Sequence, residues 1–420
     1  MQWLNRVMLK LLIVNILDRE EKIMAEWIEC RISDIGTVVG GATPSTKKSA
    51  NYDDGKIAWI TPKDLSSFSG RYIRHGERNI TETGLKSCST KLLPKNTVLF
   101  SSRAPIGYIA IAANEVCTNQ GFKSVIPNEN TDPLFLFYLL KYNKDKIEGM
   151  GSGTTFKEVS GTTMKNIVVN VPSDKVVQEK IAIILGTIDD KIEENERINN
   201  NLAEQSQAIF AEFMCKYPYV LSPLGDMAEI IDCLHSKKPE AVNDTAYQLL
   251  QLNNITDSGF LDLSSKYYIS KSDYENWTRK CEIVEGDCVI TNVGRIGAVS
   301  QAPNGTHAAM GRNMTCIRLR KDKPFYSYLI TALLSPHIRR EIMKNTDEGT
   351  IMGALNVKNI PLLLFPMFAP PTMNALEDLL SPIRKAIEQN YLSNQTLSLL
   401  RDSLLPRLMS GELDVSDIDL

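Results

Sequence analysis

No Cys-x-x-Cys pair occurs among the eight cysteines of this 420-residue chain, and its four histidines are scattered, so no zinc pattern of the usual spacing is present. The thiols read as reduced, mostly core residues. No apolar run reaches the roughly 18 residues that a membrane helix needs. The best candidate, Val7 to Leu17, is broken by Lys10 and Asn15 and has no small-residue cleavage site after it, so a cytoplasmic chain is expected. The phosphate-cradling G-x-x-x-x-G-K-[ST] is missing, as are H-E-x-x-H, G-x-S-x-G and a paired Cys/His nucleophile. Gly149-Met-Gly-Ser-Gly-Thr154 is glycine-rich but lacks the dinucleotide spacing, and reads as a loop. Neither the Asn/Asp-Pro-Pro-aromatic tetrapeptide of amino-methyltransferases nor a nuclease-type cluster of carboxylates and lysine is found. No catalytic residue and no metal site is therefore expected. Net charge is only −3, from 47 basic and 50 acidic residues, which excludes a uniformly basic nucleic-acid coat but not a local basic face.

What the chain does contain is itself, twice. A make-up of 43% hydrophobic and 23% charged residues is that of a globular protein, and the length exceeds one ordinary core. Ile32-Ser-Asp-Ile-Gly36 is echoed by Leu221-Ser-Pro-Leu-Gly225, and Trp59 to Leu65 by Leu249 to Ile255. Val98 to Gly107 is answered by Cys288 to Gly297, and Gly153-Thr154 with Lys165-Asn-Ile167 by Gly349-Thr350 with Lys358-Asn-Ile360. These offsets describe a duplication of a unit of about 190 residues rather than a solenoid.

Each copy has a β-rich part with Gly, Pro and Asn loops, expected at 25–172 and 217–366, and a helical part, expected at 173–216 and 367–410. Residues 1–24 form an extension and 411–420 a tail. In the first helical part, Ile181, Leu185, Ile188, Ile192, Asn195, Asn199, Leu202, Ser206, Ile209 and Phe213 alternate four and three apart. Adding 195 to each gives Leu376, Leu380, Ile383, Ile387, Asn390, Asn394, Leu397, Arg401, Leu404 and Leu408, a second heptad seam with the same two asparagines. Running the helices antiparallel brings Asn195 opposite Asn394 and Asn199 opposite Asn390. A parallel pairing would also match asparagines, but two domains sharing one duplex in inverted orientation need the antiparallel form. The fold expected is α+β: two tandem recognition-type domains of mixed structure, separated by two long helices that form an antiparallel coiled coil.

Charge follows the same partition. Residues 25–172 hold 18 basic and 14 acidic side chains and 216–366 hold 17 and 16, whereas 173–215 hold 4 and 9 and 367–420 hold 4 and 8. Acidic helices joined to mildly basic globules suit a chain that meets a polyanion with its globules. Thr43, Ser45, Thr46, Lys47 and Lys48 form a short polar loop able to clamp a phosphate. Ser101, Ser102 and Arg103 in one copy, and Asn292 and Arg295 in the other, place polar groups near an arginine after a strand. Asn119-Gln120 and Arg312-Asn313 are side chains that can bridge two atoms of one base edge. Lys63, Lys123, Thr154, Lys237, Lys238, Asn253, Asn254 and Thr350 complete the candidate DNA contacts.

The motifs Gly40-Gly-Ala-Thr-Pro-Ser-Thr46, Trp59-Ile-Thr-Pro-Lys-Asp64, Ser101-Ser-Arg-Ala-Pro-Ile-Gly107, Thr118-Asn-Gln-Gly121, Gln178-Glu-Lys-Ile181 and Leu405-Pro-Arg-Leu-Met-Ser-Gly-Glu412 together resemble the specificity subunits of type I restriction–modification systems. The likeness runs from about Trp27 to Glu412. It implies two target-recognition domains, each reading half of a split double-stranded DNA site. It also implies two modification subunits that methylate adenine from S-adenosylmethionine, and restriction subunits that translocate and cut DNA with ATP and Mg2+, with no cofactor on this chain. A seam of 33 residues spans roughly 50 Å at 1.5 Å per residue, so the helix pair is expected to act as a ruler for the unread bases. A protein-binding scaffold and a fused methyltransferase or nuclease are the competing readings, and the latter lacks its cofactor motif. The second domain departs from the pattern, with Val293-Gly-Arg295 where the first has Ser102-Arg103. Residues 1–23 lie outside the likeness, and Met24-Ala-Glu-Trp27 resembles the usual start.

Overall fold

The computed structural model describes residues 25–418 apart from 67, 154–156, 244 and 348–352. It divides into two compact units, residues 1–193 with 397–420 and residues 194–396, so the division falls within both long helices.

Each unit carries a globule closed at its base by its own first and last strands. Trp27–Arg31 runs antiparallel to Val168–Pro172, and Tyr219–Pro223 antiparallel to Leu364–Phe368. Each closing strand leads directly into a long helix, Lys175–Lys216 (the central helix) and Pro370–Met409 (the distal helix). The main sheet of the first globule has the order Gly36–Gly40, Lys123–Pro127, Val98–Ser102, Ile106–Ala112, Tyr72–Ile73. That of the second has Ala228–Asp232, Met314–Leu319, Cys288–Thr291, Val299–Gln301, so the four shared strands keep one order and one antiparallel sense. Even the parallel contact between Trp59 and Cys117 returns as a parallel bridge between Leu249 and Ala309. The duplication read from short motifs is thus a duplication of topology. Gly107 (φ +97°) and Gly297 (φ +71°) show why the strand-turn motif repeats: both adopt left-handed backbone, and an added Cβ would meet Lys144 or Ile342 at under 3 Å.

In the first unit, Ile181, Leu185 and Ile188 of the central helix pack with Leu404 and Leu408 of the distal helix and with the buried helix Pro133–Tyr142. The last residues join this core, since Leu413, Val415 and Ile418 are buried. In the second unit, Phe210 and Phe213 pack with Leu376 and Leu380 and with the helix Tyr326–Leu334.

The polar layer lies in the second unit. Asn195 Nδ2 donates to Asn394 Oδ1 at 2.7 Å, and Asn390 Nδ2 to Asn199 Oδ1 at 2.9 Å, which fixes the antiparallel sense. Asn199 Nδ2 reaches the Ile387 carbonyl at 3.2 Å. Ile383, Ile387 and Leu202 flank the layer, while Leu397 belongs with Ile188 and Ile192 to the first unit's core. Asn390→Ala should cost about 1 kcal/mol, the net worth of a neutral hydrogen bond. Replacing all four asparagines with Leu should raise the denaturation midpoint yet broaden the mass distribution in light scattering, because a polar seam position specifies register at a cost in stability. A four-Leu variant as monodisperse as the parent would refute that role.

The globules are tied to their helices by arginines of opposite origin. In the first unit, Arg71 of the globule donates Nε to Glu193 at 3.0 Å and Nη1 to the Gly186 carbonyl at 3.2 Å, and pairs with Asp190, all on the central helix. In the second, Arg384 of the distal helix donates Nη2 to the Gly259 carbonyl at 2.6 Å and Nε to Gln301 at 2.9 Å. Its guanidinium lies 3.4 Å from the centroid of Phe260, whose other neighbour is the stacked ring of Tyr391. Burial pushes Arg384 down to about 9, with the nearby Glu388 carboxylate opposing that shift, and carbonyl and π contacts also hold the charge.

Candidate nucleic-acid interface

In the first unit the polar loop after Gly40 is strapped to the sheet by backbone and aromatic groups. Ala42 N donates to the Thr118 carbonyl at 3.0 Å, the Trp59 indole to the Ala42 carbonyl at 3.2 Å, and the Tyr52 hydroxyl to the Pro44 carbonyl at 2.6 Å. A Cβ at Gly41 would sit 2.2 Å from the Thr118 oxygen, so this approach requires glycine. The straps leave Ser45, Thr46, Lys47 and Lys48 exposed, and no ion pair holds either lysine among the described residues. The Thr43 hydroxyl donates to the Gln120 side-chain oxygen, joining this loop to the turn at 119–121. Asn119 is turned inward and accepts from Gly121 N at 2.9 Å. Lys63 lies in the short helix Pro62–Ser66, whose Pro62 lies close to Gly121, but its ammonium is bound by Glu77 at 2.7 Å and its pKa is pushed upward by that carboxylate.

Two expected contacts of this unit are corrected by burial. Ser101 is fully buried, donating to the Pro105 carbonyl at 2.8 Å and accepting from Tyr108 N at 2.7 Å. Ser102 is fully buried against the Gly121 carbonyl. Both hydroxyls shape the turn and are closed to a ligand. Arg103 and Lys123 share one carboxylate, Glu158, at 3.5 and 3.2 Å, and Lys123 is largely covered. Thr154 lies outside the described residues.

The second unit gathers more of its candidates. Lys238, Asn253, Arg312 and Asn313 line one cleft of about 310 Å3 with Gln251, Leu249, Leu252 and Trp277. The four candidates come from three separate segments, counterparts of residues 43–48, 61–63 and 118–121 of the first copy. A Cβ at Gly311 would lie 2.1 Å from the Leu250 carbonyl, so glycine again permits the approach of two of them. Asn313 holds its turn in left-handed backbone (φ +63°), which asparagine tolerates. Lys238 Nζ stands 3.7 Å over the Tyr267 ring, Asn253 donates to Ser265 at 2.7 Å, and Lys237 is exposed. Arg312 is exposed with no hydrogen bond or ion pair among the described residues, so all five guanidinium donors face outward unclaimed.

Here too burial corrects two expectations. Asn254 is fully buried, donating to the carbonyls of Asp262 and Ser265 at 2.6 and 2.8 Å. Asn292 is buried between the Leu355 carbonyl and the Thr315 hydroxyl. Arg295 is exposed but engaged by Asp257 and the Ile255 carbonyl. Thr350 lies outside the described residues.

Sequence reasoning missed Gln251 and Trp277 in the cleft, and Arg78, whose guanidinium lies 4.2 Å from the Tyr52 ring that holds Pro44. Aromatics interleaved with basic residues, as in Lys266-Tyr267, were the available signal. Both units thus present amide and cationic donors on turns braced by glycine contacts, an arrangement able to meet phosphate oxygens and base edges. Among the described residues no helix is long and apolar enough to cross a membrane.

The family described as the type I restriction modification DNA specificity domain matches residues 24–204. The MjaIX specificity subunit of Methanocaldococcus jannaschii is 30% identical over 427 residues, covering 94% of this chain and 96% of its own. The EcoR124I/EcoR124II specificity subunit of Escherichia coli is 29% identical over 167 residues, 38% of this chain and 40% of its own. Among solved structures, the S subunit of a type I restriction-modification system from M. genitalium shares the fold, with a TM-score of 0.55 at 15% identity over 93% of this chain and 98% of that one.

Proposed function

The chain belongs to the type I restriction enzyme specificity subunits, and on that premise we propose that each of its globules reads one half of a bipartite double-stranded DNA site. The observation that carries this reading is the convergence of three equivalent loops in both copies, with Thr43 meeting Gln120 in one and Lys238, Asn253, Arg312 and Asn313 lining a cleft in the other. Lys47, Lys48 and Lys238 position the duplex through phosphates, and Gln120, Arg312 and Asn313 read base edges. The chain contributes recognition and no catalysis. Two modification subunits that methylate adenine from S-adenosylmethionine, and restriction subunits that use ATP and Mg2+, supply the chemistry in the cytoplasm, and none of these cofactors binds this chain. The test is methylation mapping of host DNA with and without the gene. A bipartite adenine-methylated motif should vanish on deletion, and a methylation pattern unchanged by deletion would overturn the proposal.

A further inference from the structure

The strand Ala228–Asp232 ends in three different metal donors. One ligand atom each from the Asp232 carboxylate, the Cys233 thiol and the His235 imidazole lie within 4.8 Å of one another. His235 Nε2 stands 2.8 Å from one Asp232 oxygen. The other, Oδ1, is shut off from solvent, and the Cys233 thiol is hydrogen-bonded to the same carboxylate. No lysine or arginine pairs with Asp232 among the described residues, so its carboxylate is met by the imidazole and the thiol alone. Cys233 is buried, with its sulfur facing the backbone N–H groups of Asn313 and Met314, while His235 is exposed and leaves a route of entry.

We propose that Asp232, Cys233 and His235 bind one zinc ion. Thiolate and imidazole together select a borderline transition metal over Mg2+ or Ca2+. Zinc bonds of about 2.3 Å to sulfur and about 2.0–2.2 Å to nitrogen and oxygen set tetrahedral donors somewhat under 4 Å apart. At 2.8 Å, His235 Nε2 and the Asp232 oxygen stand closer than that, so the exposed ring must swing outward to admit the ion, and a water fills the fourth position. A search for paired cysteines misses this set because its ligands are three different residue types within four positions of a strand end. Among the described residues, the other convergence of donors, Cys281, Asp287 and Cys316, is already neutralised. Arg318 donates to both Asp287 oxygens at 2.8 and 2.5 Å and lies 3.6 Å from the Cys281 sulfur. Zinc at Asp232 would displace the thiol proton, raise the local charge by one unit and pin the segment that carries Lys237 and Lys238. The site stands on its donors alone and does not depend on what the globules recognise.

The test is a titration of chelator-stripped, full-length protein with Co2+, followed by Zn2+. One equivalent of Co2+ should give a thiolate-to-cobalt charge-transfer band in the near ultraviolet, and Zn2+ should abolish it. Cys233→Ser should remove the band. His235→Ala, at an exposed position that leaves the core intact, should weaken Co2+ binding by about tenfold or more, since loss of even an outer-shell partner costs 10–100-fold. Cys215→Ser, at an exposed cysteine outside the cluster, should change nothing. A thiolate band that survives Cys233→Ser, or none at saturating Co2+ in folded protein, overturns the proposal.

Discussion

Arg401→Met is expected to destabilise the first unit by about 3–5 kcal/mol, the cost of leaving half of a buried ion pair behind. Arg401 occupies a seam position of the distal helix, and its Nη1 donates to Asp189 at 2.8 Å. The Asp189 side chain is only 8% exposed, and its remaining partner is the buried Tyr138 hydroxyl, at 2.6 Å. Without the guanidinium, a carboxylate held by one neutral donor would sit among Ile188, Leu185 and Leu404. The opposite truncation is gentler, because Arg401 keeps Asp402 at 2.8 Å, and that carboxylate is 59% exposed. Replacing the whole network, Arg401→Met with Asp189→Leu and Tyr138→Phe, should recover most of the loss, since apolar groups of similar volume can match a buried pair. Amide exchange at Leu185 and Ile188 reads this unit locally, which matters in a chain whose two units need not unfold together. A loss below about 1 kcal/mol for Arg401→Met, the worth of an exposed pair, would mean that water reaches Asp189.

The seam that holds Arg401 was legible to the residue because heptad spacing is a local, one-dimensional signal. The asparagines added register: two polar positions at matched places in two apolar stripes leave few pairings. The anchors were not legible. Arg71 and Arg384 do the same work from opposite sides of the globule–helix boundary, and each meets partners more than 80 residues away. In the candidate site, recurrence between the copies misled in one respect. The motifs Ser101-Ser-Arg103 and Asn292-Val-Gly-Arg295 recur because both precede a glycine held in left-handed backbone, so repetition there marks a shared turn rather than a shared contact. Alternation along a strand cannot say which face is covered, and Ser101 and Ser102 are covered on both. The segments that supply Lys48, Gln120, Lys238 and Arg312 were legible because lysines, amides and an arginine cluster there beside glycines. That Lys238 and Arg312 close on one cleft required the fold.

Arg312 in the cleft of the second unit and the lysines of the first unit's loop should fail differently when removed. The guanidinium of Arg312 is a planar fork with no partner among the described residues, the shape that pairs with guanine O6 and N7. Arg312→Ala should therefore weaken binding of the cognate DNA by about 1–3 kcal/mol, roughly 5- to 150-fold, and relax one position of one half-site in the methylated motif. Arg312→Lys should rescue little, because a point charge cannot reproduce a bidentate contact. Lys48→Ala should lower affinity for every sequence alike, leave the motif intact, and reduce the slope of log affinity against log salt by about 0.9, the value for one phosphate contact. The two variants are separated by measuring binding of the assembled complex to cognate and scrambled duplexes across a salt series. An Arg312→Ala complex with the parent's affinity and methylated motif would remove Arg312 from base reading. A change in motif on Lys48→Ala would move the phosphate clamp from positioning to sequence readout.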